Sequence, residues 1–136
     1  MTEKKKKGSI LNMLPILLGI LAISVLSLMY LSYMARYDKK EAADQLAREY
    51  ILRMETEGYL TDESKNNLIR SMENLGYTNI NLSGTTMTDA GYGNQIMLVI
   101  NASLETDKIN VTDYLGINKG REETRLYICK KTTAKN

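Results

Sequence analysis

With 136 residues and a mass of 15.4 kDa, the chain holds at most one globular domain. It has no His, Trp or Phe, and Cys129 is its single cysteine, which excludes an intramolecular disulfide and leaves only carboxylates for a zinc site. The formal net charge of +2 hides an asymmetry. Four lysines crowd the first nine residues, whereas the part from Tyr37 onward carries 13 Lys and Arg against 15 Asp and Glu. Such an acidic balance does not suit a phosphate backbone, so no nucleic-acid partner is expected.

Residues 1–9 read as a basic cytoplasmic tail, with Lys4, Lys5, Lys6 and Lys7 against Glu3. Residues 10–33 then run without a charge, and those 24 residues would span about 36 Å as a helix, against about 30 Å of hydrocarbon. The transmembrane helix is assigned to residues 10–35. Tyr30, Tyr33 and Tyr37 fall where it should leave the lipid, as an interfacial aromatic belt does. A cleaved secretory signal is the competing reading, but the run exceeds the usual apolar core of about 7–15 residues and puts Tyr where a small residue is needed. The lipid bilayer is thus the first partner. The N-terminus is read as cytoplasmic and the C-terminal domain as extracytoplasmic.

Residues 36–58 continue as an amphipathic helix. Ala43, Leu46, Ala47, Tyr50, Ile51 and Met54 recur at spacings of three and four, while Asp44–Arg48 and Glu49–Arg53 pair four apart on the other face. No Gly or Pro interrupts residues 36–57, which predicts one helix of about 45 residues ended by Gly58. A small α+β head follows over residues 59–136. Its short second helix starts at Thr61 or Asp62, shows Leu68, Ile69, Met72 and Leu75 as its apolar face, and stops at Gly76. Residues 77–82, 95–104 and 121–131 predict about three antiparallel strands. The clearest alternation is Ile96, Leu98, Ile100, Ala102 and Leu104. The polar, Gly-rich connection 83–94 reads as a mobile loop. Residues 107–120 admit an irregular strand or a turn of helix. The fold class is α+β, in the order of a long helix, a short helix and a small sheet.

Chemistry has little to stand on. Without His the usual general base near neutral pH is missing. Cys129 reads as a small buried hydrophobe in a strand. Asp62 and Glu63 fit the acidic start of a helix, and Glu122 and Glu123 alternate across a strand. Gly91-Tyr92-Gly93 lacks the third glycine of a phosphate loop and precedes a strand instead of a helix. Asn81, Asn101 and Asn110 each open a chance glycosylation triplet, and Asp107 with Asp113 lacks the ladder of a calcium loop. No enzyme activity, metal, cofactor or small-molecule substrate is expected.

The chain resembles the TadE-like pilins and pseudopilins of Tad-type and conjugation-associated secretion systems. The resemblance is carried by Lys4, Lys5, Lys6 and Lys7 with Gly8, the span from Ile10, and Arg48-Glu49-Tyr50-Ile51-Leu52-Arg53-Met54-Glu55-Thr56-Glu57-Gly58. It extends through Leu75-Gly76-Tyr77, Gly84-Thr85-Thr86 and Tyr92-Gly93-Asn94-Gln95-Ile96. It implies a membrane-anchored structural subunit of a pilus, secretion or conjugation apparatus, partnered by further copies, other pilin-like subunits and membrane proteins of that apparatus. It also implies a processing junction at Gly8-Ser9. Counted from Ser9, however, the fifth residue is Met13, where the family usually has Glu, and the uncleaved anchor is the expected form. The alternative is a single-span scaffold with an outer α+β domain, similar in layout to VirB8-like proteins.

Overall fold

The computed structural model describes residues 3–107 and 121–135, with side chains described over 12–105 and 122–135. The element order is α1 (Glu3–Glu57), α2 (Asp62–Asn74), β1 (Tyr77–Asn81), β2 (Gln95–Asp107) and β3 (Arg121–Thr133). The α+β layout read from the sequence is therefore the fold. Helix α1 already includes the backbone of the basic segment from Glu3, before the apolar run begins. Two compact units divide the chain, residues 1–36 and residues 37–136.

In the first unit, α1 is long and apolar enough to cross a membrane. Its large side chains, among them Leu17, Leu21, Ile23 and Leu26, lie about three-fifths exposed and pack against nothing within the unit. The hydroxyls of Ser24, Ser27 and Ser32 donate to the carbonyls of Ile20, Ile23 and Leu28 at 2.8, 2.8 and 3.0 Å. Each polar group is thus satisfied four residues back along its own helix, which is what hydrocarbon requires.

The second unit is built on a three-stranded antiparallel sheet in the order β1-β2-β3. Strands β2 and β3 pair over thirteen consecutive positions, from Gln95↔Thr133 to Asp107↔Arg121. The alternation at Ile96, Leu98, Ile100, Ala102 and Leu104 fills the inner face of β2, each at most 5 % exposed. Leu126 and Ile128 continue that face on β3, and Tyr77 on β1 stands opposite Leu104. One apolar cluster unites these residues with Ala43, Ala47, Tyr50, Ile51 and Met54 of α1 and with Leu68 and Met72 of α2. Residues 43–54 consequently share a core with residues 59–136.

The periodicity of α1 is realised with one shift of centre. Ala43, Ala47 and Met54 are wholly buried, whereas Leu46 sits at the margin, packed against the cluster's edge. Two alanines one turn apart let a helix approach a sheet closely, and a bulky leucine serves best at the flank. Arg53 stacks its guanidinium 5.2 Å from the Tyr50 ring centroid, covering the outer side of the seam.

Helix ends follow the local chemistry. Thr61 is the N-cap of α2, its hydroxyl accepting from the Ser64 N–H, with Asp62 and Glu63 in the first turn. Gly76, at φ +91°, reverses the chain after α2, and its N–H donates to the Glu73 carbonyl at 2.8 Å.

The connection 83–94, read as mobile, is instead tied down. The Thr85 hydroxyl accepts from the Val99 N–H and donates to the Val99 carbonyl, both at 3.0 Å. The Thr86 hydroxyl accepts from the Met97 N–H, and its own N–H donates to the Met97 carbonyl. Two threonines thus replace a strand along the part of β2 that β1 does not reach. The Thr86 carbonyl accepts from Leu60, and Ala90 donates to the Gly58 carbonyl, joining the loop to the α1–α2 turn. Residues 108–120, where an irregular strand or helical turn was expected, lie outside the described residues, as do Asn110 and Asp113.

Met54→Ala should destabilise the second unit by about 2–5 kcal/mol, because it removes a wholly buried side chain from the centre of the cluster. Leu46→Ala at the margin should cost clearly less. Chemical unfolding of the full chain in detergent, followed by tyrosine fluorescence, measures both.

Candidate functional site

The expected processing junction lies in the first turns of α1. The backbone of Gly8 and Ser9 is helical, and the Ser9 side chain lies outside the described residues. Met13, in the place where a pilin-type Glu would stand, is exposed among apolar neighbours. A lone carboxylate there would need an amine partner or pay for desolvation in lipid, and methionine has no such requirement.

In the second unit two carboxylates of α1, Asp44 and Glu55, are engaged in structure. Asp44 accepts from Lys130 at 2.6 Å and from Arg48 at 3.0 Å. The hydrogen bond from Lys130 is the main reason its carboxyl lies below its ordinary value. Glu55 accepts from Lys135 Nζ at 2.6 Å and from the Thr132 hydroxyl, and the Lys135 N–H donates to the Glu55 carbonyl at 2.7 Å. Lys135 first and Thr132 second hold the Glu55 carboxyl below its ordinary value. Asp44 and Glu55 are eleven residues apart, about three helical turns, and so share one face of α1. Together they fasten the end of the chain along that helix.

The other sequence candidates resolve in the same direction. Asp62 and Glu63 begin α2, and Glu122 and Glu123 lie on β3. The Asn81 side chain accepts from the Ser83 N–H and hydroxyl at 2.8 and 2.6 Å, a local turn that ends β1. Gly91 and Gly93 form a turn at positive φ, closed by the Asp89 carboxylate accepting from the Gly91 N–H at 2.9 Å. Among the described residues no group of His, Cys, Asp and Glu could hold a metal ion.

Cys129 departs from expectation. It stands half-buried on the face of the sheet away from the helices, opposite Val99 and two residues from Tyr127. Its charge and hydrogen bond raise the Tyr127 phenol above the ordinary value. Tyr77, by contrast, is raised by burial against the core. Tyr127 itself is 67 % exposed, a large side chain on an open sheet face. The alternation Leu126-Tyr127-Ile128 could have announced that orientation, because only alternate residues of a strand face the core.

No family model, curated protein or solved structure matches this chain. The functional reading therefore rests on its residues and their geometry.

The two carboxylates set an acid dependence whose sign is fixed. Both have folded values below their ordinary values of 3.8 for Asp44 and 4.5 for Glu55. Their contribution is complete above about pH 5 and is lost as the pH falls through the ordinary and then the folded values. The thermal midpoint of the full chain should fall between pH 6 and pH 3.5, and Glu55→Gln should lower the pH 6 midpoint and flatten that fall.

Proposed function

We propose that this chain is a membrane-anchored, pilin-like structural subunit of a bacterial pilus, secretion or conjugation apparatus. The observation that carries the reading is the double use of α1. Its N-terminal part is apolar and exposed, and its C-terminal part supplies the buried seam of a small α+β head. An apolar helix of this kind can exchange lipid for the same helix of neighbouring subunits without changing its own hydrogen bonds. Asp44 and Glu55, with Lys130 and Lys135, are committed to holding the head's own chain together, which fits a building block.

In this reading the lysine-rich end stays in the cytoplasm and residues 37–136 lie outside the membrane. Gly8-Ser9 has the basic leader and adjoining apolar helix that a prepilin-type peptidase reads, while Met13 favours an uncleaved anchor. Partners are the bilayer, further copies and other membrane components of the apparatus. No nucleic acid and no small-molecule substrate enters the proposal.

Two measurements test it in native cells. A Tyr92→Cys, Cys129→Ser variant presents a thiol at a side chain that is 80 % exposed. It should react with a membrane-impermeant maleimide in spheroplasts, and protection would reverse the topology. A photo-crosslinking residue at Leu17 should yield a ladder of self-adducts. Adducts with a different membrane protein alone would instead favour the channel-scaffold layout.

A further inference from the structure

The two edges of the sheet are treated differently. Strand β1 is five residues long, its register slips between Thr78 and Asn81, and Asn79 sits at φ +52°. Short length and a bulge are how proteins blunt an edge. Strand β3 is thirteen residues long, keeps unbroken register with β2, and among the described residues pairs with β2 alone. Among the described residues, its outer edge therefore presents a long, regular row of backbone donors and acceptors.

Both acids of β3 lie in its first half, together with Arg121 and Arg125, and the only charges of its second half are lysines. Glu122 and Glu123 stand near its start, and Lys130 and Lys131 near its end. Charges that merely discourage pairing need no such order. In-register parallel self-pairing would set every charge against its like, whereas antiparallel self-pairing can set Glu123 of one copy against Lys131 of the other.

We propose that the β3 edge is a self-association site at which two copies of this chain pair β3 with β3 antiparallel about a twofold axis at Tyr127. The register follows from charge and from sheet geometry. A twofold normal to the sheet keeps the same face inward in both copies, so directly opposed residues share a face. Centring the axis on Leu126 sets Arg121 against Lys131 of the other copy, and centring it on Ile128 sets Arg125 against Lys131. Both registers oppose like charges, which destabilises a sheet; centring the axis on Cys129 opposes no unlike charges within the strand, and centring it on Thr124 shortens the paired stretch to residues 121–127. With the axis at Tyr127, Glu123 stands opposite Lys131 twice, and no like charges are opposed. On the inner face Leu126 then meets Ile128 of the other copy, which extends the core rows across the contact. On the open face the two exposed Tyr127 rings stand side by side, flanked by Arg125. Two further neighbours are already used within each copy, since Lys130 is bound to Asp44 and Thr132 to Glu55. The contact is isologous and does not depend on the assembly role proposed above.

Disulfide trapping of the full chain in a non-ionic detergent tests both contact and register. Opposed residues of an antiparallel pair have Cβ atoms about 4.5–5.5 Å apart. A Tyr127→Cys, Cys129→Ser variant should therefore form a disulfide dimer under mild oxidation, and its exposed position makes the replacement tolerable to the fold. The native Cys129 should not, because in this register the two copies lie four residues, about 13 Å, out of line. Glu123→Lys in the Tyr127→Cys background should slow dimer formation about tenfold, and adding Lys131→Glu should restore it. Failure of position 127 to cross-link would overturn the contact. Cross-linking through native Cys129 instead, or no rescue by the charge swap, would overturn the register.

Discussion

The fold of residues 37–136 depends on one packing constraint, the burial of the Ala43–Ala47–Met54 face of α1 against the inner face of β2 and β3. A three-stranded sheet has one face to bury, and the thirteen residues of α2 contribute only Leu68 and Met72 as wholly buried apolar side chains. Without α1, the rows Ile96-Leu98-Ile100 and Leu126-Ile128 would face water. The helix that reads as an anchor is thus also indispensable to the head. Asp44 and Glu55 fasten Lys130, Thr132 and Lys135 along that same helix, so polar contacts hold the register that burial demands.

Much of this was legible because the signals are local. Strict alternation at 96–104 needs only the period of a strand, and the apolar run of α1 needs only its length. Gly58 and Gly76 mark helix ends through their backbone freedom. What escaped the sequence is long-range. Thr85 and Thr86 look like polar loop residues until β2 is placed beside them, when their hydroxyls prove to close its edge. The Glu55–Lys135 contact joins groups eighty positions apart, beyond any spacing rule. Cys129 was read as buried because strand cysteines usually are, but its side of the sheet is set by parity with Leu126 and Ile128. Of the candidate site, Gly8-Ser9 is a pattern of charge and small residues whose meaning lies in an encounter with a peptidase, and no internal packing reports on it.

The chain's unsatisfied surfaces are distributed in a consistent way. The first unit exposes apolar side chains, with the hydroxyls of Ser24, Ser27 and Ser32 turned back onto their own helix, as a hydrocarbon surrounding requires. Among its described residues the second unit exposes one blunt edge and one long regular edge, with Glu123 and Lys131 towards the two ends of the latter. Both features fit the subunit proposed above, one held in a membrane beside further copies of itself.

The central claim is that α1 and the sheet form a single cooperative core, and native-state hydrogen exchange on the full chain tests it most directly. With rising denaturant, the amides of Ala47, Ile51 and Met54 should exchange together with those of Leu98 and Ile100, at the same opening free energy. Exchange of the α1 amides at lower denaturant, with the sheet still protected, would show that the head holds together without the helix and would contradict the account.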